Sequence, residues 1–266
     1  MTDNAIDEVI AVDIWGDYGH FRKPYTTSSP ITHTIPPRTA LTGLIGAIMG
    51  YPPKGDGNYH DVLAPQQAKI AVVPRKHIDT QRVNKNMLKI KGNTARLIKP
   101  RDPPEEITRN QVPMEMLRNP RYTLYIWHAD SDRFDAIDEQ LRQHRSVYTP
   151  SLGLSELLAD FEYRGRSDVQ KTESEGSVDS VVNTEQHQVV FEQNKRYRRE
   201  NVSLVMNENR EVQSYGDIVY AENAGVDAAS SRTASPNLEP ATVTIEDGTQ
   251  YVLADSVDDR ITFLTG

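Results

Sequence analysis

Between two runs of strong β formers, Ala68–Pro74 and Tyr122–His128, lies a stretch that cannot fill a protein core. Arg75 to Asn119 has little apolar content and no clean periodicity along its length, and it is dense in Lys and Arg. A structureless insertion this long inside a compact domain is either functional or disordered. The chain is therefore expected to fold from the apolar elements on either side, with the insertion projecting from them. Alternation around Met87, Leu88 and Ile90 suits an extended ribbon. From Lys69 to Arg101 ten Lys or Arg stand against one acid, Asp79, a net of +9. Cations spaced along a ribbon can neutralise several phosphates, each adding to a steep salt dependence.

The flanking segments read in order. Val9–Trp15 is β-branched and apolar, a buried strand in which Asp13 is expected at an edge or end in contact with solvent. Leu41, Leu44, Ile45, Ile48 and Met49 recur at helical spacing, predicting a helix over Thr39–Met49 entered at Pro36-Pro37 and left at Gly50. A short helix over Tyr59–Gln67 and a second strand over Ala68–Pro74 follow. Tyr122–His128 is the third strand. Asp130 or Ser131 caps a helix with the stripe Phe134, Ile137 and Leu141. Leu157–Tyr163 is the fourth strand, ended by Gly165-Arg166.

That order predicts an α+β, ferredoxin-like (RRM-like) domain over residues 1–166, with a basic thumb inserted at 75–120 and one sheet face open to RNA. Residues 167–266 read as a small acidic, β-rich extension: eight Lys or Arg against eighteen acids, a net of −10. Asp168–Asn183 is expected to be a linker, and Asn223–Pro240 a flexible loop. Lys195-Arg-Tyr-Arg-Arg199 is expected to be a hairpin face paired to nearby acids.

Overall the chain carries a net charge of −8, which alone argues against a nucleic-acid binder. The asymmetry reverses that reading, placing a basic working surface on an acidic body. With no cysteine, disulfides and thiolate metal sites are excluded, which fits a reducing cytosol. No apolar run approaches the ~20 residues of a membrane span, and the acidic N-terminus is no signal peptide. A cytoplasmic protein with no membrane partner is expected. There is no Walker loop, Gly-x-Gly-x-x-Gly, His-Glu-x-x-His or Gly-x-Ser-x-Gly. The seven His lack metal-ligand spacing, so neither metal nor cofactor is expected.

Phe21–Pro37 is a hydroxyl-rich, Pro-punctuated loop carrying Arg22, Lys23 and His33, and Arg38 follows at the helix entrance. A helix N-terminus is already the positive end of its dipole. Further cations there suit an anion, and free N–H groups with cations make a phosphate site. Gly43 and Gly46 inside the helix each cost about 1 kcal/mol relative to Ala, which marks a close backbone approach.

Three segments carry a family resemblance: the aromatic-Arg-Lys-Pro loop with Ile35-Pro-Pro-Arg-Thr-Ala-Leu-Thr-Gly-Leu-Ile-Gly-Ala47; Arg109-Asn-Gln-Val-Pro-Met-Glu-Met-Leu-Arg-Asn-Pro-Arg-Tyr122; and Tyr148-Thr-Pro-Ser-Leu-Gly-Leu-Ser-Glu-Leu157. In this order and spacing they resemble the Cas family-five subunit of type I CRISPR interference complexes (Cascade), a member of the RAMP superfamily, and look closest to subtype I-B. The resemblance covers roughly residues 8–165. It implies a non-catalytic subunit that grips the 5′ handle of the CRISPR RNA. It also implies as neighbours the Cas family-seven backbone subunit and the large Cas family-eight subunit.

On that reading Phe21 or Tyr25 stacks on a base, and Arg22, Lys23, His33 and Arg38 meet phosphates. Arg75, Lys76, Arg82, Lys85, Lys89 and Lys91 line the thumb, and Gly43 and Gly46 admit the partner. Arg109, Gln111 and Tyr148 lie in the matched motifs without an assigned role. One branch of the family cuts the CRISPR transcript with Tyr, Lys and His. Lys76-His77 with Tyr25 or Tyr51 offers the same residue types, so a metal-independent endoribonuclease is the alternative.

Overall fold

The structure, a computed structural model, describes residues 6–26, 29–90, 107–173, 175–193, 195–222, 242–246, 249–253 and 259–265. Lys91 and the Asn223–Pro240 loop lie outside them. The first half runs β1 (Glu8–Trp15), β2 (Tyr18–Gly19), β3 (Phe21–Arg22), β4 (Thr32–His33), α1 (Arg38–Met49), α2 (Tyr59–Val62) and β5 (Ala68–Pro74). Next come β6 (Asp79–Ile90), β7 (Ile107–Arg118), β8 (Arg121–His128), α3 (Ser131–Arg142) and β9 (Asp160–Glu173). The remainder is β10 (Gly176–Val178), β11 (Val182–Asn183), β12 (Val189–Val190), β13 (Arg196–Met206), β14 (Val212–Glu222), β15 (Val243–Ile245), β16 (Thr249–Leu253) and β17 (Arg260–Ile261).

β1 is buried at all six interior positions, so both of its faces are covered and it sits mid-sheet. It pairs antiparallel with β8 and β9 in a six-stranded sheet of order β17-β16-β9-β1-β8-β5. Ile10, Val12 and Ile14 face one side, together with Ile70, Val72, Leu124 and Ile126. There they pack on Leu41, Leu44, Ile45 and Ile48 of α1 and on Phe134, Ile137 and Leu141 of α3. Both helices have the apolar stripes expected of them. Asp130 caps α3 by accepting from the Arg133 N–H, and Gly50 ends α1 in the left-handed region at φ 76°.

The α+β, ferredoxin-like expectation is overturned on the opposite face. Val9, Ala11, Ala71, Val73, Tyr125, Val169, Leu253, Ile261 and Phe263 form a second core there. Burying a Val, Leu, Ile or Phe side chain is worth about 1.5–3 kcal/mol each, so this face cannot stay open to water. The sheet instead curls until its ends meet. Leu264, just after β17, donates its N–H to Ile70 O of β5 at 2.9 Å, and Val181 donates to Val72 O at 2.8 Å. The result is a nearly closed, barrel-like sheet in a mostly β chain. No open RRM-type platform is left on it.

Three smaller expectations change with it. Gly165 does not end the fourth strand: its φ of 138° accompanies a register shift opposite Ala11/Val12, and β9 continues to Glu173. The expected linker at Asp168–Asn183 is instead the end of β9 together with β10 and β11, and β16 pairs with β9 beyond residue 166. Asp13 is 1% exposed, not at a solvent edge. It accepts from Thr123 Oγ1 (2.5 Å), Arg121 Nη2 (2.8 Å) and Arg164 Nη1 (3.0 Å). Burial opposes its charge, and these three donors outweigh burial and hold the carboxyl below the usual range.

In the C-terminal half, β13 and β14 form a long hairpin whose Val202, Leu204, Ile218 and Tyr220 extend the first core against α1. The basic knot is paired as expected: Lys195 with Glu192, Arg198 with Glu222 and Arg199 with Asp217.

Candidate nucleic-acid interface

β6 and β7 pair antiparallel from Asp79↔Arg118 to Ile90↔Ile107, so over its described residues the insertion is a two-stranded arm, joined at its base by β2. Alternation gives the arm two faces. One carries Val83, Met114 and Met116, which pack on Leu154 and Leu157. Lys85 lies on that face and pairs with Glu156. The other face carries exposed Arg82, cross-strand from Glu115. Glu115 in turn accepts the Thr32 N–H at 3.1 Å and donates its own N–H to Pro30 O at 2.9 Å. The arm's base is therefore gripped on one side by the 151–158 loop and on the other by the 23–32 loop.

His20 completes the junction. Its Nδ1 donates to Glu115 O at 2.7 Å, and its N–H donates to Leu152 O at 2.9 Å. Burial holds this imidazole below its ordinary pKa, so it is neutral at pH 7. Gly153 lies against it with φ 97°; a Cβ there would stand 1.9 Å from His20 O, so only glycine fits. Tyr148 N–H and Val147 N–H donate to Ala47 O and Ile48 O of α1. All three motif segments, distant in the chain, thus meet at one place.

The expected contact residues divide sharply. Tyr25, 71% exposed, stands at the loop tip. Arg22 is exposed and curls back to Thr26 O (Nη2, 2.8 Å). Arg82 and Lys76 are exposed. Lys89 lies on β6.

Phe21, by contrast, is 5% exposed within the core, so it is not the stacking ring. Lys23 is committed to Glu200 at 3.2 Å, and His33 is buried beside the same carboxylate. Arg75 is turned inward: it donates to Thr123 Oγ1 and Tyr125 OH and pairs with Asp259. Burial disfavours its charge, but Asp259 more than compensates and raises its pKa.

Arg38 is the clearest departure. It is 2% exposed, and its Nη2 donates to Leu63 O (2.7 Å) and Ala68 O (2.9 Å). It ties α1 to the α2–β5 turn and faces away from any ligand at the helix mouth. Gly46 does mark a close approach, but within the chain: a Cβ would lie 2.8 Å from Tyr59 Cβ. Gly43 has nothing within 4 Å.

The nuclease constellation is only partly assembled. Lys76, His77 and Ile78 line a cleft with Tyr220, Ala221 and Glu222, and His77 Nε2 is 3.3 Å from Asp79. Neither Tyr25 nor Tyr51 lines that cleft. Tyr51 packs on the core beneath Arg133. Among the described residues no group of three or more His, Asp or Glu could hold a metal. Also among them, no helix is long and apolar enough to cross a membrane.

Sequence reading missed Glu200, Asp259 and Arg164. Each meets its partner from more than 100 residues away, so no local pattern announces it.

With this geometry in view, the family model described as CRISPR-associated protein (Cas_Cas5) matches residues 9–204. The chain belongs to the Cas5 family. That bears out the resemblance carried by the three motifs. Among solved structures the Cas5 chain is similar to a CRISPR protein from Archaeoglobus fulgidus (13% identity, TM-score 0.51, 97% of this chain and 100% of that one). It is also similar to a chain of a CRISPR RNA-guided surveillance complex (14% identity, TM-score 0.47, 84% of this chain and 96% of that one). At such identities the first likeness is one of fold alone. No curated protein matches. None of these matches supports the I-B subtype suggested by the motifs.

Proposed function

We propose that this Cas5 protein is a non-catalytic guide-RNA-binding subunit of a type I CRISPR interference complex that holds the 5′ handle of the CRISPR RNA. The observation that carries this reading is the convergence of the three family motifs where the arm, the exposed Tyr25 loop and Arg22 meet. A single strand is held by cations along its backbone and by an aromatic face for a base. Arg82 on the arm and Arg22 on the loop supply the first; Tyr25 supplies the second.

Arg75, Arg38 and Phe21 serve the scaffold that holds these groups. A Cas family-seven subunit would meet the arm, and a Cas family-eight subunit would dock beside it.

Titration of the chain with repeat-derived single-stranded RNA at several salt concentrations tests the reading. Binding is expected to weaken steeply with salt, and Arg82→Ala to reduce the log–log slope by about one. Affinity independent of salt, or indifferent to both Arg82→Ala and Tyr25→Ala, would refute it. A defined cut in metal-free buffer, lost in His77→Ala, would replace the scaffold with the endoribonuclease.

A further inference from the structure

Glu200 sits on the core-facing side of β13, in line with Val202 and Leu204, and is 9% exposed. An apolar residue there would simply extend the core. The carboxylate instead collects donors from both arms of the opening loop. From the β4 side it accepts the Thr34 N–H at 3.0 Å and the Ile35 N–H at 3.5 Å. From the β3 side Lys23 Nζ lies at 3.2 Å, and from β4 itself His33 Nδ1 stands 3.6 Å away. Burial works against its charge, but His33 and Lys23 prevail and keep the carboxyl below its ordinary range. Thr34 is fixed from two further directions: its Oγ1 bonds Tyr220 OH at 2.6 Å, and its carbonyl accepts from Tyr122 OH at 2.5 Å.

β3 and β4 are only two residues each, and one further bond, Lys23 N–H to Ile31 O at 3.0 Å, continues their pairing. So short a ribbon does not hold its own shape in water. Its neck is closed by Glu200, more than 160 residues further along the chain.

We infer that Glu200 is a positioning residue for RNA binding: it clamps the neck of the 23–31 loop and thereby presents Arg22 and Tyr25 to the strand. This rests on the RNA reading above and gives the C-terminal half a part in that function. It runs against simple electrostatics. Glu200 places a negative charge beside a loop that meets phosphates, so on charge alone its removal would tighten RNA binding. Positioning requires the opposite sign.

The test uses the full chain, with the folded fraction checked by circular dichroism. Amide hydrogen exchange across residues 22–35 is measured without RNA, and affinity is measured with a fluorescent repeat-derived single-stranded RNA. Glu200→Gln is expected to speed exchange at the neck and weaken RNA binding about ten-fold, the scale of one lost charge-assisted hydrogen bond. In the Glu200→Gln background, Tyr25→Ala is expected to cost less than it does alone, because the ring is no longer held in place.

Glu200→Asp keeps the charge but withdraws it by one methylene, and is expected to weaken binding in the same direction. Unchanged exchange, or Glu200→Gln binding RNA as tightly as the parent or tighter, overturns the inference. Failure of the RNA reading itself looks different: the parent chain binds no RNA at any salt concentration.

Discussion

Replacing Arg38 with Met removes the guanidinium while keeping a stem of similar reach. In the parent, burial pushes the Arg38 pKa down to about 10, which corresponds to a penalty on the order of 3 kcal/mol against the charged form. Opposing it are two hydrogen bonds from a charged donor, to Leu63 O and Ala68 O, each worth roughly 1.5–3 kcal/mol. Their loss also leaves two carbonyls short of a partner. About 5 kcal/mol lost against about 3 kcal/mol relieved leaves Arg38→Met destabilised by roughly 2 kcal/mol. For a chain of this size that is a fall in melting temperature of roughly 4–8 °C. Urea unfolding followed by circular dichroism reads the stability, and RNA titration well below the melting transition reads the function. The expected result is a lower urea midpoint with RNA affinity and salt slope unchanged. Undiminished stability with weaker RNA binding and a slope reduced by about one would refute the reasoning and make Arg38 a phosphate contact.

The two helix glycines should respond in opposite directions. Gly43→Ala meets nothing within 4 Å and is expected to gain up to about 1 kcal/mol from helix propensity, whereas Gly46→Ala drives a methyl into Tyr59 and is expected to lose about 1–3 kcal/mol. Thermal melts that moved together would contradict this. Stability is expected to fall in two stages on acidification. His20, His60 and His128 are held below the ordinary imidazole pKa, mainly by burial, so the stability of their neutral forms is lost as pH drops below about 6.5. Asp13 and Glu200 have depressed folded pKa values, so their contribution is present above the unfolded values and is lost below about pH 4. Asp179 has the opposite sign. Burial pushes it up to about 6, so its charged form burdens the fold at pH 7 and is relieved on protonation. Asp179→Asn is therefore expected to raise the melting temperature at pH 7 by an amount that shrinks toward pH 5; a gain independent of pH would show that Asp179 is not strained.

The local sequence reading succeeded where one segment carries the whole signal. The stripes of α1 and α3, the Asp130 cap, the strands β1, β5 and β8 and the projecting arm are all legible because their spacing depends on neighbours within a few residues. The motif set likewise identified the family, whose model matches residues 9–204. Arg38 shows the limit of this reading. An arginine at a helix entrance looks the same in sequence whether it points at a ligand or at two carbonyls, and only the packing of α2 and β5 against α1 makes it the second.

By itself the sequence settled the two long helices α1 and α3, the strands β1, β5 and β8, where the basic arm leaves the core, and to which family the chain belongs. It did not settle what covers the second face of the main sheet. That depends on Leu264 reaching Ile70 and Val181 reaching Val72, contacts spanning more than 100 residues. Nor did it settle that Glu200 would fasten a loop near the start of the chain. Periodicity records that a residue is apolar or charged, whereas its partner is fixed only when distant segments compete to bury the same surface. Here that competition closed the sheet on itself and left the arm and the Tyr25 loop outside.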